Sequence, residues 1–182
     1  LYKAQINPHF LFNSLNTIYS MIINRSEHTE EAFIKFTDIL KYMYDQPTAD
    51  SISIEREFEY IGNYIQFQKL RHNGHTTVKW DCSMDDHKIQ IPPMLLITFV
   101  ENAFKYGSSS RRDCQIDISA HINDGILIFK TENQIIRRPS EGSEGIGIEN
   151  CRNRLELLYP DRYCLDIKEE GEKFMLNLTI NL

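Results

Sequence analysis

The stretch Ile91-Pro92-Pro93-Met94-Leu95-Leu96-Ile97-Thr98-Phe99-Val100-Glu101-Asn102-Ala103-Phe104-Lys105-Tyr106-Gly107 decides the fold. It is apolar enough to be buried, and an apolar run of this length after a Pro-Pro pair predicts a helix over Ile91 to Tyr106. Its polar interruptions are therefore informative. Glu101 and Lys105 stand four apart and can form an ordinary helical ion pair. Asn102 has no such companion. Its amide oxygen suits Mg²⁺, a hard cation that takes oxygen ligands and keeps water and phosphates in its shell; a satisfied core amide is the alternative.

Outward from this helix the pattern divides the chain. On the N-terminal side, Ala4, Pro8, Leu11, Leu15, Ile18 and Ile22 follow the four-three spacing of a helix packed on another helix. A polar break over Asn24 to Thr29 precedes a second helix through Phe33, Phe36, Leu40 and Met43, completing a hairpin. A third helix is signalled by Ser53 as N-cap, Glu55 and Glu57 in the first turn and Phe58, Ile61 and Ile65 on one side; it should end near Arg71. On the C-terminal side the period becomes two. Strands are expected at Thr76–Trp80, Cys114–Ile122, Ile126–Thr131, Tyr163–Lys168 and Phe174–Ile180, with hairpin signals at Asn123-Asp124-Gly125 and Glu170-Gly171. Asn133 to Gly147 reads as a long surface loop and Glu149 to Tyr159 as a helix. The expected class is α+β, with a helical segment over residues 1–72 and an α/β unit over 73–182.

Composition narrows the function. A chain of 182 residues with 41% apolar and 25% charged side chains can bury a sizeable core, and a net charge of −6 argues against a nucleic-acid partner. Cys82, Cys114, Cys151 and Cys164 form no C-x-x-C pair, so neither a zinc site nor a dithiol motif is written. No apolar run reaches the roughly 20 residues that a membrane span needs. The first residue is Leu1, which reads as a piece of a longer protein.

Two further segments carry candidate chemistry. In Gln5-Ile6-Asn7-Pro8-His9-Phe10-Leu11-Phe12-Asn13, the residues Gln5, His9, Asn13 and Asn16 form a polar stripe beside the apolar seam. Pro8 either begins the helix or kinks it beside His9. A neutral imidazole offers a nitrogen lone pair to a phosphoryl group, although a solvated His at a helix start fits too. In Gly142-Ser143-Glu144-Gly145-Ile146-Gly147-Ile148-Glu149-Asn150 a glycine-rich loop runs into a helix, which suits phosphate or a simple hinge.

Together the segments resemble the LytS-type (autolysin sensor) histidine kinases, whose catalytic domain has the Bergerat ATP-binding fold of the GHKL superfamily. The resemblance rests on Gln5 to Asn13, Pro92 to Gly107, Gly145 to Asn150 and Arg154 to Tyr159, in that order. It implies a truncated helical phosphoacceptor and dimerisation segment, then a Bergerat-type sandwich with a mixed, mostly antiparallel sheet covered by helices on one face. It implies His9 as phosphoacceptor, ATP and Mg²⁺ as cofactors, and Asn102 as the Mg²⁺ ligand. Lys105, Tyr106, Gly145, Ile146, Gly147 and Asn150 would lie at the nucleotide, under a lid from Asn133 to Glu144. Glu101 is the candidate base. Where such ATPases usually carry D-x-G-x-G, this chain has Thr131-Glu132-Asn133-Gln134, so either Glu132 or Asn133 would accept the adenine amino group. The implied function is that of a two-component sensor kinase core, autophosphorylating His9 and passing the group to an Asp on a response regulator receiver domain. The intact protein would be a homodimer, its membrane anchor lying outside this cytoplasmic portion. The alternative is a degenerate nucleotide-binding dimerisation module without kinase activity.

Overall fold

The first described residue is a proline already in helical conformation. Pro8 lacks an N–H, which costs nothing in a first helical turn because those donors have no intrahelical acceptor. The computed structural model describes residues 8–45, 50–72, 74–138 and 146–182, with backbone only for Pro8, His9, Asp45 and Ile146. Helices α1 (Pro8–Ile23) and α2 (Thr29–Asp45) lead to the short strand β1 (Ile52–Ser53) and helix α3 (Ile54–Arg71). Strands β2 (Thr76–Met84) and β3 (Gln90–Ile91) precede helix α4 (Ile97–Gly107). The chain continues through β4 (Cys114–Asn123), β5 (Ile126–Gln134), α5 (Ile146–Leu158), β6 (Tyr163–Glu170) and β7 (Lys173–Asn181).

Five strands form one sheet in the order β2-β4-β5-β7-β6. Only β2 and β4 are parallel, and their connection runs through α4, the kind of crossover that parallel neighbours require. The other pairs are antiparallel, as the fold class expects. Asp124 and Gly125 both have positive φ, at 50° and 74°, which matches the hairpin turn read at Asn123-Asp124-Gly125. Alternation along β4 and β5 buries Ile116, Ile118, Ala120, Leu127 and Phe129 under the helices. The opposite face is polar, carrying Lys79, Asp117, Ser119, Lys130 and Asn177. Phe99 of α4 meets Phe129 of β5 with ring centroids 6.0 Å apart, and Tyr64 of α3 meets Phe104 at 5.8 Å. Among the described residues no helix is long and apolar enough to cross a membrane.

Several boundaries differ from those expected, β2 among them, which runs on past Trp80 to Met84. The helix expected from Ile91 begins at Ile97, because Ile91 pairs with Ile52 across β3 and β1 and Met94 then adopts a φ of 58°. Strand β5 runs on through Asn133 and Gln134, which find partners in β7 at Phe174 and Lys173, so the loop starts later. Helix α5 starts at Ile146, three residues early. Ser53 does precede α3 with extended backbone, yet its side chain makes no capping hydrogen bond.

The turn before α4 is held by a buried acid. Glu57 is fully buried and accepts hydrogen bonds from the Tyr42 hydroxyl, from Met94 N at 3.0 Å and from Leu96 N at 3.1 Å. Arg154 of α5 grips the other side of the same turn, donating to Pro93 O at 2.7 Å and Met94 O at 3.2 Å. Burial pushes the Glu57 carboxyl up, and the Tyr42, Met94 and Leu96 bonds and the Arg154 charge pull it back. Residues 52–71 are thereby joined to the segment that follows. Glu57→Gln would set an amide N–H against a backbone N–H at this turn. It is expected to lower stability by about 1–3 kcal/mol, with Tyr42→Phe costing less, as read by urea unfolding.

Candidate functional site

Helix α4 carries the densest set of candidate residues, and it forms one wall of a cleft of about 370 Å³. Thr98, Glu101, Asn102 and Lys105 line it from α4, and Gly147 closes it from α5. The third wall is the C-terminal half of α3, where Tyr64, Gln68, Arg71 and His72 follow helical spacing along one face. Phe10 and Asn13 of α1 complete the rim, bringing the helix that carries His9 to the same cleft. Phe10 is anchored there by the rings of Tyr64, at 5.5 Å, and Phe67, at 6.3 Å.

The polar groups within are poised. Asn102 Nδ2 is buried with no hydrogen-bond partner, an arrangement rare in folded proteins unless a ligand, ion or water completes it. A Cβ at Gly147 would stand 3.6 Å from that nitrogen, so the backbone of α5 packs directly on the Asn102 amide. Burial pushes the Glu101 carboxyl up to about 7, with the Lys105 charge opposing. His72 is driven down to about 4 by burial and by the charges of Arg71 and Arg137, so it is neutral at physiological pH. No cluster of three His, Cys, Asp or Glu side chains among the described residues forms an all-protein metal cage. A cation here would be held through Asn102 and its ligand's oxygens.

The other candidates are placed apart. Tyr106 presents its ring to Lys105 Nζ at 4.9 Å, while its carbonyl accepts from Ile136 N at 2.8 Å and Arg137 N at 3.0 Å. Asn133 is buried beside Gly107, where a Cβ would come within 2.6 Å of the Asn133 Cβ, so only glycine permits this approach. Asn133 Nδ2 donates to Gln134 O at 2.8 Å, and its Oδ1 is buried and unpartnered. Glu132, one residue earlier, points to the opposite face and pairs with Lys173. Asn150 is exposed on α5. Gly145 and residues 139–144 of the expected lid lie outside the described residues, as do the side chains of His9 and Ile146. The sequence reading passed over Tyr64, Gln68, Arg71, His72 and Arg137. Tyr64, Gln68 and Arg71 share the i, i+4, i+7 face of α3, with His72 as its C-cap, a signal available in the sequence.

The histidine kinase family model matches residues 1–76. Sensor histidine kinase BtsS of Escherichia coli is 28% identical over the whole chain, and sensor protein LytS of Staphylococcus saprophyticus is 27% identical over 98% of it. The chain spans 32% of the length of either relative. Among solved structures, the histidine kinase domain of the Erythrobacter litoralis EL346 blue-light activated kinase superposes with a TM-score of 0.53 at 15% identity, covering 86% of this chain and 75% of that one. Acinetobacter baumannii histidine kinase AdeS gives 0.52 at 12% identity, covering 95% and 93%. At such identities these structures speak for the fold alone. Fold, family match and relatives converge: the chain is similar to the LytS and BtsS sensor histidine kinases, its first 76 residues match the histidine kinase family model, and its architecture is that of solved histidine kinase domains.

Proposed function

We propose that this chain is the kinase core of a two-component sensor, binding ATP in the α4 cleft and transferring its γ-phosphoryl group to His9. The observation that carries the reading is the shared cleft: the helix bearing His9 borders the same cavity as the unpartnered Asn102 amide. Asn102 would hold Mg²⁺ through its amide oxygen, and its unpartnered Nδ2 would be left to donate to a phosphate oxygen. The bound ion supplies neutralisation of phosphate charge.

The chain's own residues do the rest. A ring nitrogen of His9 attacks the γ-phosphorus, the bond to the β,γ-bridging oxygen breaks, and ADP leaves. The imidazole then carries a proton to shed from its other nitrogen. Glu101, in the same cleft with its pKa near 7, is matched to accept that proton. Positioning and electrostatics supply most of the acceleration in such a transfer. At the adenine end Asn133 fits better than Glu132, because its unpartnered Oδ1 is buried beside Gly107 and Glu132 faces away. Mg²⁺ at Asn102, the division near residue 72 and passage of the phosphoryl group to a receiver-domain Asp belong to this proposal. So does a homodimer, supported by an apolar stripe left exposed on α1 at Phe12, Leu15, Tyr19 and Ile22.

Incubation with γ-labelled ATP and Mg²⁺ is expected to give acid-labile label on the protein, absent in His9→Gln; label persisting in that variant would sink the assignment. Asn102→Ala should weaken binding of a nonhydrolysable ATP analogue at least tenfold by calorimetry. Binding that depends on Asn102 without any labelling would favour a regulatory nucleotide-binding module. Glu101→Gln is expected to slow labelling about 10²-fold and to remove its rise with pH through about 7. Glu101 also predicts a stability trend. Between about 4.5 and about 7 the unfolded chain loses a proton that the folded chain keeps, so stability falls as pH rises across that window. The slope from this group is at most about 1.4 kcal/mol per pH unit and should vanish in Glu101→Gln, as thermal melts would show.

A further inference from the structure

Three cations reach the cleft from three different elements: Arg71 at the end of α3, Lys105 on α4 and Arg137 beyond β5. All three are exposed, so their charged heads are available at its mouth. Acidic residues outnumber basic ones by 26 to 20, and elsewhere Arg138, Arg152, Lys168 and Lys173 each find a carboxylate. Among the described residues Arg71 and Arg137 form no ion pair. Glu101 is the one acid among the described residues lining the cleft, and burial weakens its ionisation near neutral pH.

The backbone that carries each arginine is also anchored. His72, directly after Arg71, donates its backbone N–H to Gln68 O at 3.2 Å and stacks its ring on Phe104 at 6.5 Å, which pins the end of α3. The amides of Ile136 and Arg137 both bond to the carbonyl of Tyr106, so Arg137 leaves the sheet from a point tied to the end of α4. Burial first, then the charges of Arg71 and Arg137, lower the pKa of the His72 ring, so both arginines bear on it. Guanidinium groups offer paired donors that match phosphate oxygens, and uncompensated positive charge at a cleft mouth draws anions in.

We propose that Arg71 and Arg137 form a clamp on the polyphosphate arm of the nucleotide and set the preference of this cleft for triphosphate over monophosphate. The clamp rests on the nucleotide reading above and adds to it two contacts outside the α4 and glycine-loop motifs. Calorimetry on the whole chain with Mg²⁺ and a nonhydrolysable ATP analogue, AMP, or inorganic tripolyphosphate tests it.

Arg71→Ala and Arg137→Ala are each expected to weaken the ATP analogue and tripolyphosphate about tenfold, or 1.4 kcal/mol, and to leave AMP unchanged. The double variant should lose most of the discrimination between triphosphate and monophosphate. Arg71→Lys and Arg137→Lys should recover part of it, whereas Lys79→Ala on the outer sheet face should change nothing. Unaltered triphosphate binding in the arginine variants, or an equal loss for AMP, overturns the clamp even if Asn102 proves essential. Wild-type protein that binds tripolyphosphate through the arginines but no ATP analogue keeps the clamp and sinks the nucleotide reading. Binding of neither probe by wild-type protein overturns both.

Discussion

The buried carboxylate of Glu57 is the constraint on which the arrangement depends. Between β3 and α4 the chain must turn sharply, with two prolines and Met94 in the left-handed region, and that turn leaves backbone N–H groups facing the interior. Buried donors without acceptors are costly, and Glu57 satisfies two of them while also accepting from Tyr42 of α2. One side chain thus sets where α4 begins and links α2 and α3 to it. Arg154 holds the carbonyls of the same turn, adding α5 to the junction. A helix aimed by three other elements presents Glu101, Asn102 and Lys105 to the cleft.

For the proposed function that fixed geometry matters, because phosphoryl transfer asks little covalent chemistry of a protein and a great deal of placement. Asn102 lies under the backbone of Gly147 with its amide nitrogen unpartnered, and Glu101 is buried enough to hold its proton near neutral pH. Both conditions disfavour the isolated fold and suit a ligand, the trade seen where binding sites are preorganised. Gly107 and Asn133 show the same economy at the far end of α4. The glycine gives up its side chain so that an amide can sit against the helix terminus.

Much of this was legible in the chain. The period-two segments gave the strands of the main sheet, and the one-sided burial of that sheet followed from alternation along each strand. The motif around Asn102 and the stripe beside His9 were visible by spacing. Other features were not. The two-residue strands β1 and β3 carry too few residues for any periodicity, and they exist because Ile52 and Ile91 meet across the fold. The start of α4 was misjudged for the same reason, since an apolar run reads alike in a turn, a short strand and a buried helix.

What the sequence determined by itself was the inventory: which side chains carry chemistry suited to phosphate, which segments are helical, and which positions along them are apolar. Those properties depend on neighbours three or four positions away and survive without tertiary context. Tertiary structure alone decided that Asn133 is buried and that Glu132 faces the outer side, because adjacent residues on a strand face opposite sides and only sheet packing fixes which side is buried. It also decided that Arg71 and Arg137, 66 positions apart in number, share one cleft with the helix of His9. Charges so distant in sequence become neighbours only when the backbone turns that join their elements are satisfied, and Glu57 satisfies the one before α4.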